Sequence, residues 1–350
     1  MITDIKFDLN DIVLVPKAQS EINSRNECNP FTVFESYDNM LPLIASPMDT
    51  VVSIENYELY IKNGIIPCIP RGQEDNKYYS RCKFQSFGLC DIEKSLYGTM
   101  SERNNSVLRH YPNILIDIAN GNMKKIVDIL KEIKTHYTTT IIMVGNIANP
   151  ETFVELAKAG ADYVRISIGT GAGCTTAANV AINYPMGSLI TECHQKKIQH
   201  GLWNTKIVAD GGMRNYSDII KALALGADYV MIGNLFNKAI ESAGFNYLYG
   251  IKLNNKVAKI LWKYNFPIKK KYRGMSTKAV QRSWGKSKLI TAEGITKYQK
   301  VEYTLEQWTE NFKDYLKSAM SYSNAKTLED FIGRADFCQI TKSAYDRFNK

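Results

Sequence analysis

No run of 18 apolar residues occurs anywhere in the 350 residues, so nothing in the sequence reads as a membrane-spanning helix. The first residues do not read as a secretory leader either. The opening MITDIKFDLN carries acids where a signal peptide would place a basic and then an apolar region, and a soluble cytoplasmic protein is expected. The seven cysteines, Cys28, Cys68, Cys82, Cys90, Cys174, Cys193 and Cys338, are odd in number and lack paired C-x-x-C spacing. That pattern argues against a disulfide framework and against a zinc cage, leaving most of them as small buried hydrophobes. A further absence is local: residues 251–288 hold twelve Lys or Arg and no Asp or Glu, so a chain of net charge +9 sums to −3 outside this segment. A solvated basic loop is the plain explanation, and an anionic small ligand the functional one. Nucleic acid is not favoured as a partner, because aromatics are not regularly interleaved along the run.

What is present is enough for one large core, with 45% apolar and 23% charged residues. From about residue 110, short apolar runs alternate with amphipathic stretches. NILIDIA, TTIIMVGNI, DYVRISIG, TKIVADGG and DYVMIGN predict strands, and NPETFVELAKAG and NYSDIIKALALGA predict helices between them. Pro150 stands near one helix start, and Gly160 and Gly226 stand just past helix ends. LPLIASPMDT and NGIIPCIPRG add two earlier strands, so a repeated βα unit with a parallel sheet is expected. Ser46, Asp117, Asn146, Gly169, Asp210 and Gly233 each end a predicted strand, across six different units. A doubly wound sheet gathers its site at one or two switch points, whereas a barrel gathers loops from every strand on one face, so a single-domain (β/α)8 TIM barrel is the expected fold. No G-x-G-x-x-G opens a helix with an acid some 20 residues on, so the dinucleotide fingerprint of the doubly wound fold is missing.

One stretch stands out chemically. In ADYVRISIGTGAGCTTAANV, residues 161–180, a strand runs into three glycines in five residues, then Cys174, Thr175 and Thr176. Glycine lets a ligand approach the backbone closely, and a cysteine where such a loop meets a helix start has its thiol pKa lowered. Taken in order, NDIVLVPKAQSEINSR, SPMDTV, DIANG, VGNI, GTGAGCTT, ADGG, VMIGN and YRGMST resemble the family of IMP dehydrogenases and GMP reductases, from about residue 8 to 300.

That resemblance implies a (β/α)8 barrel, commonly a homotetramer, acting on GMP or IMP with a nicotinamide cofactor and often potassium. It implies that Cys174 is the nucleophile attacking C2 of the purine. Asp210 would hold the ribose hydroxyls, and backbone amides of Gly212, Gly233 and Asn234 the phosphate. Ser46, Met48, Asn146, Met275, Ser276 and Gly294 complete the implied substrate site. Asp117, Asn120, Gly121 and Arg71 are the implied cofactor contacts. Backbone carbonyls of Gly169, Gly171 and Cys174 are candidates for a potassium ring, although Thr170 stands where the family usually has proline.

The two branches of the family part after the shared cysteine. Dehydrogenases pass hydride to NAD and hydrolyse the intermediate with an Arg-Tyr pair on a flap; reductases expel ammonia and take hydride from NADPH, using a loop threonine and a glutamate. Between Ser276 and Glu293 this chain reads STKAVQRSWGKSKLITAE, with no Arg-Tyr, and DIANG and AEGI resemble the reductase forms, making Thr176 and Glu293 the implied partners of Cys174. SPMDT and YRGM resemble the dehydrogenase forms. NADPH-dependent deamination of GMP to IMP is therefore the preferred activity. The alternatives are IMP dehydrogenation to XMP with NAD, a divergent reductase for a related purine nucleotide, and a purine-nucleotide sensor without turnover. Only about 40 residues separate Arg71 from the NILID strand, too few for an inserted CBS domain. Residues 1–350 are thus expected as one barrel, with a basic loop and mobile flap at 245–295 and a helical tail at 300–350.

Overall fold

The computed structural model describes residues 5–73, 81–173, 175–275, 277, 280, 282 and 294–348. Eight parallel strands close into a barrel: β1 Leu43–Ala45, β2 Ile66–Ile69, β3 Phe84–Phe87, β4 Asn113–Asp117, β5 Ile141–Ile147, β6 Tyr163–Ile166, β7 Lys206–Asp210 and β8 Tyr229–Ile232. They follow in sequence order around the ring, and Val230 opposite Leu43 joins β8 to β1. Seven were legible in the sequence. The eighth, Phe84-Gln85-Ser86-Phe87, is buried at all four positions although half of it is polar.

Helices such as Lys124–His136, Pro150–Lys158, Met186–Gln199 and Tyr216–Leu225 return the chain between strands. Pro150 is the first residue of its helix, and Gly226 caps another in the left-handed conformation at φ 117°.

Strand side chains alternate in direction, so every second residue enters the barrel. Ile44, Ile66, Cys68, Phe84, Leu115, Met143, Tyr163, Val208, Tyr229 and Met231 fill the interior, together with Phe34 and Met40. The last two belong to a hairpin of Thr32–Phe34 and Tyr37–Met40. Its Met40 leads directly into β1, so the hairpin plugs the N-terminal end, where Phe34, Phe84, Tyr163 and Tyr229 interlock with ring centroids 5.3–6.4 Å apart. The open end is therefore the C-terminal one. A separate, larger core of Ile, Leu, Val and Ala lies between barrel and helices.

The described part of the expected basic loop carries regular structure. β9 Asn246–Leu248, β10 Ile251–Leu253, β11 Lys269–Arg273 and β12 Thr296–Lys300 form an antiparallel sheet in the order β10-β9-β11-β12, with the helix Asn255–Lys263 between β10 and β11. Ile240, Ala258, Ile268 and Val301 make its small core. Of the expected helical tail, Leu305–Tyr322, Leu328–Phe331 and Lys342–Phe348 are helices, whereas Phe337–Gln339 is a strand paired with Ile12–Leu14 near the other end of the chain.

Lys270 of β11 is fully buried, its Nζ donating to the carbonyls of Ser242 and Gly244. Burial lowers its pKa to about 7. Between that value and the ordinary lysine range the unfolded chain binds the extra proton, so stability rises with pH across that window and is flat below it. Chemical denaturation at pH 6.5 and 9.5 should therefore show a more stable protein at the higher pH. Lys270→Met should remove most of that difference.

Candidate active site

The alternation that fills the barrel also places charge at its mouth. One step up β6 from Tyr163, the next inward residue is Arg165; the last inward residues of β4 and β7 are Asp117 and Asp210. Arg165 Nη2 donates to Asp117 Oδ1 at 2.5 Å, and its Nε lies 3.6 Å from Asp210 Oδ2. Arg71 Nε stands 3.2 Å from the other oxygen of Asp117, and Asn146 Nδ2 donates to Asp210 Oδ2 at 3.0 Å. Five polar side chains from four strand ends and the loop after β2 thus form one network across the opening.

The two carboxylates are not equivalent. Burial would raise the pKa of Asp117, but Arg165 and Arg71 outweigh it and hold the group below the usual carboxylate range. For Asp210 burial wins over the more distant Arg165 and the Asn146 amide, and its pKa is raised. Arg165 itself, 4% exposed, is held charged by the two aspartates against the effect of burial. Its sequence signal was slight: a lone cation in the apolar run DYVRISIG, which reads as a tolerated interruption until the strand's inward face is known.

Three loops crowd around the glycine turn. Gly211 has φ 88°, and a side chain there would stand 3.0 Å from Thr170 Oγ1; Gly169 has φ 81° and lies against Ala177 at the start of the short helix Thr176–Val180. Thr170 Oγ1 lies 2.5 Å from Ser167 Oγ, a side-chain brace in the position of the family's usual proline. Gly171 packs behind Gly211, and Gly212 also faces the Thr170 side chain, so the β6 and β7 loops touch through the Gly171 backbone and Thr170. Cys174 lies outside the described residues, as do Ser276 and Glu293. Its neighbour Gly173 accepts a hydrogen bond from Ile295 N at 3.0 Å, and Gly274 N donates to Ile295 O at 2.9 Å. Gly274 abuts both Gly173 and Gly294, which brings Met275 and Gly294 beside the cysteine turn.

Ser46, Met48, Gly233 and Asn234 meet on the β1–β8 side. Ser46 N donates to Ile232 O at 2.9 Å, and a side chain at Gly233 would stand 2.8 Å from Met48 Sδ. Asn234 begins a four-residue helix, and its buried Oδ1 has no hydrogen-bond partner among the described residues. Gly121 N donates to Asn146 O at 2.8 Å, while Asn120 folds over its own turn by accepting from Asn122 N at 3.1 Å. Every expected site residue within the described chain thus lies on the mouth side of the barrel.

Sequence reading missed a second ion pair. Arg273 binds Asp49 through two nitrogens, Nε at 3.1 Å from Oδ1 and Nη2 on Oδ2. This pair joins the two motifs, SPMDT and YRGM, that resemble dehydrogenases rather than reductases. It ties the root of the segment carrying Met275 to the loop carrying Met48, which Tyr272 also touches, with its hydroxyl 3.7 Å from the Met48 sulfur.

Comparison with known proteins agrees with this geometry. The IMP dehydrogenase / GMP reductase domain matches residues 97–347. A GMP reductase of Buchnera aphidicola from Schizaphis graminum is 30% identical over 366 aligned positions, covering 99% of this chain and 97% of that protein. A GMP reductase of Caenorhabditis elegans is 28% identical over 98% of this chain and 94% of its own, and human GMP reductase 2 is 28% identical over 99% and 98%.

Proposed function

The chain belongs to the IMP dehydrogenase / GMP reductase domain family and is an oxidoreductase, and from that premise we propose that it reduces GMP to IMP and ammonia with NADPH. The observation that carries the choice of branch is the likeness to GMP reductases over nearly the whole chain, together with a 276–293 segment that holds no Arg-Tyr pair for hydrolysis.

In this proposal the nucleotide lies across the mouth. Its phosphate rests on the amides of Gly212, Gly233 and Asn234, and its ribose hydroxyls donate to Asp210. Met48 and Met275 flank the purine, with Ser46, Asn146, Ser276 and Gly294 completing the site. The Cys174 thiolate adds to C2; the C2–N bond then breaks and ammonia leaves with a proton delivered by Glu293 and Thr176. A reduced nicotinamide, when bound, would supply hydride to C2; the C–S bond then breaks and the Cys174 thiolate departs from IMP. The donor set on the other side of Arg165 suits such a cofactor: Asp117 is an ionised acceptor for ribose hydroxyls, beside Arg71, Asn120 and Gly121. In the same proposal the carbonyls of Gly169, Gly171 and Cys174 would offer potassium a hard oxygen set, and a homotetramer is the proposed assembly.

The test is absorbance at 340 nm with GMP plus NADPH against IMP plus NAD. Loss of absorbance with GMP, and release of ammonia, is the expected result; XMP formed from IMP would overturn the reductase assignment. Glu293→Gln should slow the GMP reaction by about 100-fold or more, since it removes the proton while keeping size. It should spare reduction of the oxidised cofactor by IMP, which needs no proton from that residue.

A further inference from the structure

The sheet β9–β12 carries a surface that nothing in the proposed reaction uses. Directly opposed residues in antiparallel strands point to the same face. The register pairs Lys252 with Tyr247, Tyr247 with Lys269 and Lys269 with Lys300, so one row crosses all four strands in the order Lys-Tyr-Lys-Lys. The adjoining row pairs Lys271 with Tyr298, and Lys271 N donates to Phe245 O, bringing Phe245 to the edge of the same face. Tyr247 and Tyr298 meet edge to face at 5.1 Å, and Lys252 Nζ sits 3.4 Å over the Phe245 ring. Phe245 and Tyr298 are each more than half exposed. The opposite face, with Asn246, Lys270, Tyr272 and Gln299, packs on the barrel.

We propose that this outer face binds single-stranded nucleic acid, through a lysine grid that tracks the backbone and tyrosine and phenylalanine rings on which bases stack. The chemistry fits that partner better than others. Four lysines surround three aromatic rings, no acidic residue occurs on any of the four strands, and none of the four lysines forms an ion pair among the described residues. Phosphates meet the ammonium groups, and unstacked bases meet rings of any sequence, which is how strands are held without sequence readout. A bilayer would call for aliphatic side chains on the face, and the register puts only Lys, Tyr, Thr and Phe there beside Arg273, which is engaged by Asp49. A two-fold contact with a second copy would set the lysines against each other. The aromatics were not interleaved along the sequence; they are interleaved across strands.

The test uses the full-length protein and a fluorescein-labelled 12-nucleotide oligo(dT) or oligo(U), read by anisotropy. Binding is expected at 0.05 M salt, weakening about 50-fold by 0.2 M if four phosphates are engaged. Joint replacement of Lys252, Lys269 and Lys300 by Ala should weaken it more than about tenfold and flatten the salt dependence. Tyr298→Ala should weaken it about tenfold and leave the salt dependence unchanged. Thermal melting verifies that each variant is folded. Any of four results overturns the proposal: no binding at low salt, a 12-base-pair duplex bound equally well with no effect of Tyr298→Ala, capture by phosphatidylserine vesicles but not by oligonucleotides, or a change of oligomeric state in the lysine variant that marks the face as a contact between copies. None of these outcomes bears on the GMP assay, so this proposal and the enzymatic one fail separately.

Discussion

Cys174→Ala is expected to abolish reduction of GMP while leaving nucleotide affinity within about threefold of the parent protein. The proposed binding energy comes from the phosphate amides and from Asp210, none of which depends on sulfur, whereas every bond change at C2 begins with the thiolate. Single-turnover assays with NADPH, alongside calorimetric titration of GMP, separate the two quantities. A variant that keeps more than about a tenth of the parent rate would exclude covalent catalysis at this position. The turn around the residue is built to survive the change: Gly173 is tied to Ile295 and packed on Gly274, and the helix after it begins at Thr176.

Arg165→Met should have the second largest effect, this time on stability and on ligand binding together. The substitution leaves Asp117 and Asp210 partly buried at the mouth, with Arg71 and Asn146 as their remaining side-chain partners in this network among the described residues. Removing one member of a buried charge cluster costs about 3–5 kcal/mol, because the remaining charges lose their compensation. In the parent protein the lowered pKa of Asp117 contributes stability above the usual carboxylate range, lost as pH falls through the lowered value. In the variant burial is opposed by Arg71 at Asp117 and by the Asn146 amide at Asp210, without the Arg165 charge, so ionising the aspartates costs more as pH rises. Denaturant unfolding at pH 8 and pH 5 should thus show the gap between the two proteins narrowing toward acid, and Arg165→Lys should restore part of it. A gap independent of pH would mean that Arg165 contributes packing rather than charge.

The barrel was largely legible because its strands are short apolar runs set off by glycine and proline, and because the chemically unusual residues end several different strands. β3 escaped because Gln85 and Ser86, though buried, break the apolar run, and burial of a polar residue in a four-residue strand leaves no period to read. Arg165 escaped for a related reason: its meaning depends on which of two faces it occupies, and Asp117 and Asp210, which give it that meaning, lie 48 and 45 positions away. The Asp49–Arg273 pair and the lysine and tyrosine rows of β9–β12 depend likewise on register between distant segments. Motif order supplied the family; contacts of this kind come only from the folded chain.

The pairing of Ile12–Leu14 with Phe337–Gln339 bears on how the protein comes into being. At synthesis rates of about 5–20 residues per second, the first of these strands waits on the order of 15–65 s for its partner to be translated. The eight barrel strands, by contrast, pair with neighbours in sequence order, except where β8 returns to β1. Most of the ring can therefore assemble progressively as it emerges, while the clasp between the two ends of the chain is made last. Ribosome-arrested chains ending before residue 337 should hold barrel structure yet be cut by protease near residue 12, and chains extended past residue 348 by a linker long enough to clear the exit tunnel should resist that cut.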